Sequence, residues 1–562
     1  MSNSTLPALP IVAVDPPMLR GTNEYEQKRN AIQQRFTDSI PLELRLPQSV
    51  IDSAPANVTA IPRECGLLSE REVAITEHYD AVALAGAIAT KKYTAYEVAA
   101  AFSKRAVIAH QLTACLTEWF MDEALTRARE LDNHLESTGQ TVGPLHGVPI
   151  SIKSILPLKG HLVDLGILST QTTVDFDSHA VAILRDAGAV FYCKTNQPQL
   201  VMHLESASFH GRTLNPYNSK LSSGGSSGGE AALLAMGGSI LGVGSDIGGS
   251  IRGPAGFCGL YGFKPTSNVL PRKDGMIAEF AAELTIPICI GPLSRSLRDM
   301  DLFMSVMSAS SPWHVDPRLI PIPWIDISTH VARSGPLKVG FMMNDGAIQT
   351  QPPVAKALEW ARSRLQDAPG IEVKSFEPLR TAEAIKNTRI AYWPSGAEDL
   401  RNMLVNSGEP WMELSEYVIK DAVENPTRGA DGMLQLRTTQ ERFWFDWTAH
   451  WKTQDVDILI CPVYAGPAPS HDTARYWNYT AFWNYLDMPG AVLPTPIVAG
   501  PKGTESYTDN EPLSKQCEDM RQLWEDGDFE GAPVGIQIVA PRYHDNELFH
   551  ALEQMKEFLQ VK

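Results

Sequence analysis

The most constraining feature of this sequence is a stretch from Ser222 to Thr266 that is rich in glycine and serine, SSGGSSGGEAALLAMGGSILGVGSDIGGSIRGPAGFCGLYGFKPT. It holds fourteen of the 41 glycines of the chain. Glycine adopts positive φ and allows close backbone approach, at an entropic cost on folding. A cluster this dense predicts irregular backbone whose N–H groups point toward a ligand. Serine hydroxyls beside free N–H groups can supply the nucleophile and the oxyanion donors of acyl transfer.

Two other kinds of site use glycine-rich loops, and the sequence argues against both. A phosphate-binding loop would carry GxxxxGK[ST] or GxGxxG, and the segment from Gly242 to Gly248 misses the second pattern by one residue. Residues 224–228 around Ser226 match the GxSxG motif of the nucleophile elbow in α/β-hydrolases. That motif needs a strand just before the serine. Turn-forming residues stand there instead, from Asn215 to Ser223.

Composition and charge exclude further classes. Apolar residues make up 43% of the 562 residues and charged residues 20%, which predicts a large folded core. The net charge of −17 argues against nucleic acid as a partner, because phosphate binding needs clustered lysine and arginine. The start of the chain lacks the pattern of a secretory signal, and no run of about 18 apolar residues predicts a membrane span. The seven scattered cysteines, with no CxxC, predict reduced thiols, no zinc site and a cytoplasmic protein.

Hydrophobic periodicity predicts an α/β fold. Thr94 and Glu97 form a capping box, and Ser178 and Asp545 are predicted to cap later helices. Helices are predicted near 24–36, 94–106, 121–135, 178–187, 297–307, 354–365 and 545–559, and strands near 148–152, 190–193, 337–342, 371–376, 456–461 and 534–539. This alternation indicates a largely parallel sheet with helices on both faces. Residues 1–75, rich in proline and charge, are expected to form a helical N-terminal extension packed against the main domain.

The glycine/serine stretch resembles the signature of the amidase signature family, in GGSSGGEAALLA and in GSDIGGSIRGPAGFCGLYGFKPT. Weaker likeness runs from about residue 80 to the C-terminus. The resemblance implies a single catalytic domain, residues 76–562, with one large mixed sheet between helical layers. It implies amide hydrolysis by a Ser-cisSer-Lys triad, in which Ser250 is the nucleophile, Ser226 the bridging serine after a cis peptide bond, and Lys153 the base. The N–H groups of Ile247, Gly248, Gly249 and Ser250 would form the oxyanion hole, and no metal or organic cofactor is implied.

The residues around the proposed triad support this assignment. Lys153 ends an apolar strand, so its ammonium would enter a low-dielectric interior that lowers its pKa, and a lysine with a lowered pKa can act as a base. Asp246 and Arg252 flank the nucleophile with opposite charges and are expected to form an ion pair that holds the loop. His146, seven residues before Lys153, is interpreted as local structure.

Candidate substrate contacts are less constrained by the sequence. We assign them to Val201, Met202 and Gly225, and to Trp477 and Trp483 of an aromatic run that could instead pack in the core. The sequence is similar to those of fungal acetamidase-type members of the family. This resemblance implies that the substrate is a small-molecule amide with a short aliphatic acyl group. Carbamate or ester hydrolysis, a glutamine-dependent amidotransferase subunit and a catalytically dead scaffold are the alternatives. The resemblance also allows a homodimer.

Overall fold

Eleven strands of the described residues form one mixed sheet in the computed structural model. The structure describes residues 6–13, 18–275, 286–329, 335–427, 429–508 and 511–562. Three short two-stranded ribbons, β3–β4, β6–β7 and β8–β9, stand outside the large sheet. The strands are β1 (Leu116–Trp119), β2 (Pro149–Lys153), β3 (Leu162–Val163), β4 (Thr172–Thr173), β5 (Val190–Thr195), β6 (Ala207–Ser208), β7 (Gly211–Arg212), β8 (Leu214–Asn215), β9 (Asn218–Ser222), β10 (Leu241–Asp246), β11 (Tyr261–Lys264), β12 (Cys289–Ser294), β13 (Leu337–Phe341), β14 (Ile371–Ser375), β15 (Ile458–Pro462), β16 (Gly490–Val498) and β17 (Pro533–Val539).

Helices cover both faces of the large sheet, as expected for an α/β fold. They are α1 (Asn23–Ser39), α2 (Gln48–Asp52), α3 (Ile61–Glu64), α4 (Glu70–Glu77), α5 (Ala81–Ala89), α6 (Ala95–Thr113), α7 (Met121–Thr138), α8 (His179–Asp186), α9 (Gly228–Ala235), α10 (Arg252–Phe257), α11 (Leu297–Ala309), α12 (Pro352–Gln366), α13 (Thr381–Tyr392), α14 (Glu398–Ser407), α15 (Glu413–Glu424), α16 (Gly429–Gln454), α17 (Asn478–Tyr485), α18 (Lys515–Asp526) and α19 (Asp545–Met555). Among the helices of the described ranges, none is both long and apolar enough to cross a membrane.

The sheet is less parallel than the alternation of helices and strands predicted. Its order is β1-β5-β2-β10-β12-β11-β16-β17-β15-β13-β14, with six antiparallel and four parallel pairings. A parallel pair requires a crossover connection, and α8 between β2 and β5 and α12 between β13 and β14 provide two of them. Five of the six antiparallel pairs join strands in the middle of the sheet, such as β16 and β17, and the sixth joins β1 to β5 at one edge. The mixed sheet is the one that the family resemblance implied.

The capping box predicted at the start of α6 is confirmed. Thr94 and Glu97 form both bonds of the predicted capping box at the start of α6. The prediction for Ser178 is confirmed in position only, and that for Asp545 is wrong. Ser178 occupies the N-cap position of α8, but its hydroxyl makes no capping bond. Asp545 is the first residue of α19, and its carboxylate accepts hydrogen bonds from the backbone N–H and the hydroxyl of Thr266, at 2.8 and 2.6 Å.

The described residues of the first 75, which are 6–13 and 18–75, pack against the body of the molecule. Leu9, Ile40 and Leu44 form a buried cluster with Val107 of α6. The side-chain amide of Gln111, also on α6, accepts a bond from the N–H of Leu46 at 2.7 Å and donates to the carbonyl of Leu44 at 2.9 Å. Burial of apolar side chains together with paired backbone groups fixes this segment to α6.

Candidate active site

Lys153 is the last residue of β2 and is fully buried. β2 lies between β5 and β10 and is parallel to both, so the carboxyl ends of these strands meet at one edge of the sheet. In open α/β sheets this edge is where ligands bind. There Lys153 Nζ lies 2.6 Å from Ser226 Oγ and 3.0 Å from Ser245 Oγ. The predicted strand therefore delivers the lysine amine to two hydroxyls of the glycine/serine stretch.

The environment of Lys153 favours the neutral amine. Burial lowers the pKa of Lys153 to about 7, although the nearby carboxylates of Asp246 and Glu230 oppose this effect. The reason is that a low-dielectric interior destabilises the ammonium more than two carboxylates beyond hydrogen-bonding distance stabilise it. At neutral pH, a large fraction of the molecules therefore carries Lys153 with a free lone pair.

Ser226 lies in the turn that connects β9 to α9. The peptide bond between Gly225 and Ser226 is cis, as the family resemblance implied. The next residue, Ser227, connects this turn to the loop between β10 and α10. Its N–H donates a hydrogen bond to the carbonyl of Ser250 at 3.1 Å. Two segments more than twenty residues apart in sequence are thus held side by side.

Ser250 lies in the loop between β10 and α10 and is 4% exposed. It lines the same cavity as Ser226 and Ser245. In the described residues Ser250 Oγ donates no hydrogen bond to Ser226 Oγ, so the link between the two hydroxyls is their shared cavity and the adjacent backbone bond. Hydrogen bonds at active sites are often long before a substrate is bound.

A buried network fixes the loop that carries Ser250. Arg252 and Asp246 form the predicted ion pair, with Arg252 Nη2 2.9 Å from Asp246 Oδ1 and both side chains fully buried. Burial would raise the pKa of Asp246, but the guanidinium of Arg252 reverses the shift and holds that pKa well below its usual range. Arg252 also donates to side-chain oxygens of Asn484 and Gln537 at 2.5 and 2.8 Å. Such saturated pairing offsets the cost of burying two charges.

The predicted oxyanion hole needs one correction. The N–H of Gly249 donates to Asp246 Oδ1 at 2.8 Å and is therefore occupied. In the part of the chain that the structure describes, the N–H groups of Ile247, Gly248 and Ser250 have no hydrogen-bond partner. Gly249 adopts φ +126°, and a Cβ there would lie 2.2 Å from Thr480 Oγ1, so only glycine fits. The residue is required for the shape of the loop, and three N–H groups remain available as donors.

The cavity beside these serines is apolar. About 70 Å³ of it can be reached by the centre of a water-sized sphere, within a wider empty space of about 740 Å³ that includes open solvent at the mouth. Hydrophobic side chains dominate the lining, among them Leu165, Leu200, Val201, Met202, Ile247 and Leu400. Among the described residues that line it, none is charged. This lining suits an uncharged hydrocarbon group.

The five candidate substrate contacts divide into two groups. Val201 and Met202 line the cavity. Gly225, Trp477 and Trp483 are not among the described lining residues. Trp483 is fully buried and packs edge-to-face on Trp447 at a ring distance of 5.7 Å, so the core interpretation of the aromatic run holds for this residue. A Cβ on Gly225 would lie 2.1 Å from the carbonyl oxygen of His203, which places that glycine against backbone.

Comparison with known proteins identifies the family of the chain. The sequence profile of the family described as Amidase matches residues 97–549. The chain belongs to the amidase signature family. It is 42% identical over 508 residues to putative amidase C550.07 of Schizosaccharomyces pombe, covering 90% of this chain and 93% of that protein. It is 34% identical over 543 residues to an acetamidase of Emericella nidulans, covering 93% and 96%.

Comparison with solved structures shows that the fold is also that of the amidase signature family. A structure of fatty acid amide hydrolase superposes with a TM-score of 0.89 at 32% identity, covering 97% of this chain and 98% of that one. A bacterial aryl acylamidase of the amidase signature family superposes with a TM-score of 0.69 at 20% identity, which supports the fold alone. The chain is therefore a hydrolase that acts on carbon–nitrogen bonds of linear amides.

Sequence reasoning about this amidase missed three residues that contact the site. Ser245 lies within hydrogen-bonding distance of Lys153, and the signal for it was its place among the serines of the glycine/serine stretch. Tyr392 donates to the carbonyl of Ile247 at 2.9 Å, and Thr480 donates to that of Gly248 at 2.7 Å. Both side chains come from helices more than 140 positions away in sequence, and no local pattern marks them.

Proposed function

We propose that this amidase hydrolyses a small carboxamide through a serine acyl-enzyme, with Ser250 as nucleophile, Ser226 as proton shuttle and Lys153 as base. The observation that carries the proposal is the buried amine of Lys153, 2.6 Å from Ser226 Oγ, at the cavity that Ser250 also lines. A nucleophilic serine needs a base that can take its proton, and a lysine with its pKa lowered by burial meets that need near neutral pH.

In acylation, Ser250 Oγ attacks the amide carbon. The Ser250 proton passes to Ser226 Oγ as the Ser226 proton passes to the lone pair of Lys153 Nζ. The carbonyl electrons move to oxygen, and the free N–H groups of the 247–250 loop stabilise this oxyanion. Lys153 then returns a proton through Ser226 to the leaving nitrogen, the C–N bond breaks, and ammonia or an amine departs. The acyl group remains as an ester on Ser250.

In deacylation, water takes the place of the departed amine. Water loses a proton to Ser226, which passes its own to Lys153, and the resulting oxygen attacks the ester carbon. Collapse of the second tetrahedral intermediate breaks the Oγ–C bond, returns the proton to Ser250 and releases the carboxylic acid. Each half of the reaction begins and ends with a neutral amine, so no metal or organic cofactor is needed for proton balance.

The pH profile tests whether Lys153 acts as the neutral base. Because the pKa of Lys153 is about 7, we expect kcat/KM to level off above neutrality and to fall about tenfold per pH unit below it, as the amine becomes protonated. Steady-state kinetics between pH 5 and 9 would measure this, with thermal unfolding at each pH to correct for loss of folded enzyme. A profile that stays flat down to pH 5 would contradict the proposed base.

The apolar cavity supports a neutral, aliphatic acyl group. Its described lining offers hydrophobic side chains and no charge to pair with the ammonium or carboxylate of an amino acid such as glutamine. One relative that covers nearly the whole chain is named acetamidase. We therefore propose short aliphatic amides as substrates. Carbamates and esters carry the same electrophilic carbonyl and serve as comparison substrates.

A panel of amides with graded acyl length tests this substrate class. We expect kcat/KM for acetamide, propionamide and butyramide to exceed that for L-glutamine by roughly 100-fold or more, because an unpaired charge is costly in an apolar pocket. Ammonia release would be measured for these amides, hexanamide, dodecanamide and ethyl carbamate. A preference for glutamine would overturn the proposal of a neutral aliphatic acyl group. A strong preference for dodecanamide would keep that proposal but show that the acyl chain is long rather than short.

The remaining proposals concern the setting of the enzyme. The seven cysteines are free thiols, which supports a reducing compartment such as the cytoplasm. We also propose that residues 76–562 form the catalytic domain and that residues 1–75 stabilise it through their contacts with α6.

A further inference from the structure

Tyr392, the last residue of α13, reaches the loop that carries the free N–H groups. Its hydroxyl donates to the carbonyl of Ile247 at 2.9 Å, and its side chain also lines the cavity. Burial raises the pKa of the Tyr392 hydroxyl, so the group stays protonated and acts as a donor at any working pH. A Cβ on Gly248 would lie only 2.6 Å from this hydroxyl, so the contact also depends on glycine at that position.

A hydrogen bond to one side of a peptide group fixes the direction of the other side. The peptide bond between Ile247 and Gly248 is planar and trans, so the N–H of Gly248 points opposite to the carbonyl of Ile247. That N–H is without a partner in the described part of the chain. The bond from Tyr392 is therefore the contact that keeps this peptide plane from rotating and turning its N–H away.

The next peptide plane, between Gly248 and Gly249, has hydrogen bonds on both sides. The carbonyl of Gly248 accepts from Thr480 Oγ1 at 2.7 Å, and the N–H of Gly249 donates to Asp246 at 2.8 Å. Both sides of that plane are bonded, so it is held without help from the substrate. Among the peptide planes of this loop that the structure describes, only the plane between Ile247 and Gly248 has a carbonyl that accepts from a side chain and an N–H without a partner.

We propose that Tyr392 is a positioning residue for the oxyanion hole, which aims the N–H of Gly248 at the developing oxyanion by holding the carbonyl of Ile247. This inference rests on the proposed serine mechanism. Preorganised donors stabilise the transition state more than the ground state, because the charge on the carbonyl oxygen grows as the bond to Ser250 forms. Loss of the hydroxyl should therefore reduce kcat rather than raise KM.

The Tyr392→Phe variant tests the proposal because it removes the hydroxyl and keeps the ring. Loss of a whole oxyanion donor costs about 10²–10³-fold in kcat, and loosening one donor should cost about tenfold, with KM within about twofold of the wild type. Affinity for an aliphatic trifluoromethyl ketone, which forms a tetrahedral adduct with a serine, should fall by a similar factor as kcat/KM. Rates are normalised to the folded fraction measured by circular dichroism.

Tyr192→Phe is the matched control. Tyr192 is fully buried, and its hydroxyl donates to the carbonyl of Gly238 at 2.6 Å, away from the cavity. We expect it to lower the midpoint of thermal unfolding as Tyr392→Phe does, with kcat unchanged. If Tyr392→Phe keeps the wild-type kcat, or changes only KM, the positioning role is wrong. Ser250→Ala is measured in parallel to distinguish failure of the positioning role from failure of the serine mechanism. Activity in Ser250→Ala would overturn the serine mechanism itself.

Discussion

Replacing Ser250 by alanine should remove nearly all amide hydrolysis and leave the fold intact. Without Oγ no acyl-enzyme forms, and loss of the nucleophilic serine lowers kcat by about 10⁶-fold in a serine protease. Ser250 is almost fully buried, but alanine is smaller and keeps the backbone bond from the N–H of Ser227 to the carbonyl of residue 250. Steady-state ammonia release and labelling by a fluorophosphonate probe would both measure the loss.

Ser223→Ala provides the control for a serine of the same stretch. Ser223 is also buried, and its hydroxyl donates to the carbonyl of Thr213 at 3.3 Å, outside the described lining of the cavity. We expect this variant to keep wild-type turnover and to be labelled by the probe at the wild-type rate. Hydrolysis by Ser250→Ala at a rate close to that of the wild type would refute the assignment of the nucleophile.

Replacing Lys153 by methionine should be almost as severe. Methionine has a similar length and suits a buried site, but it has no lone pair that can take the proton from Ser226. We expect kcat/KM to fall by about 10³-fold or more, since general base catalysis contributes about 10²–10⁴-fold and the nucleophile also depends on it. The residual rate should lose the decline below pH 7. Both results come from the same pH series of steady-state rates.

Lys194→Met separates loss of the base from loss of a buried lysine. Lys194 is as buried as Lys153 and lies on the neighbouring strand β5, and its Nζ donates to the carbonyl oxygens of Leu156 and Leu162. This change leaves buried acceptors unpaired and should lower the midpoint of thermal unfolding. Turnover per folded molecule should stay close to that of the wild type. Equal loss of turnover in both variants would mean that Lys153 is only structural.

Local structure followed the sequence where the physical cause was local. The capping box of Thr94 and Glu97 and the strand ending at Lys153 depend on residues within a few positions, and both are present. Asp545 shows the limit of such reasoning. Its carboxylate would suit an N-cap, but Thr266, 279 positions away, donates two hydrogen bonds to it instead. A contact between residues distant in sequence is stronger here than a local preference.

The direction of the strands shows the same limit on a larger scale. Alternating helices and strands predict crossover connections and hence parallel pairs, and β2, β5 and β10 follow that rule. In the middle of the sheet, however, neighbouring strands are antiparallel, and one of these pairs joins β11 to β16 from a distant part of the chain. Helical segments between strands do not decide which strands become neighbours, so a sheet with more antiparallel than parallel pairs could not be predicted from the alternation.

By itself the sequence determined the chemical groups of the site: a lysine at the end of an apolar strand, two serines among glycines, and a loop with room for free N–H groups. Only the tertiary structure decided which N–H groups stay free, since Asp246 occupies that of Gly249, and which distant side chains, Tyr392 and Thr480, hold the loop. The physical reason is that reactivity here depends on distances of about 3 Å between groups 73 to 232 positions apart. Composition and spacing encode the groups, and packing of the whole chain sets those distances.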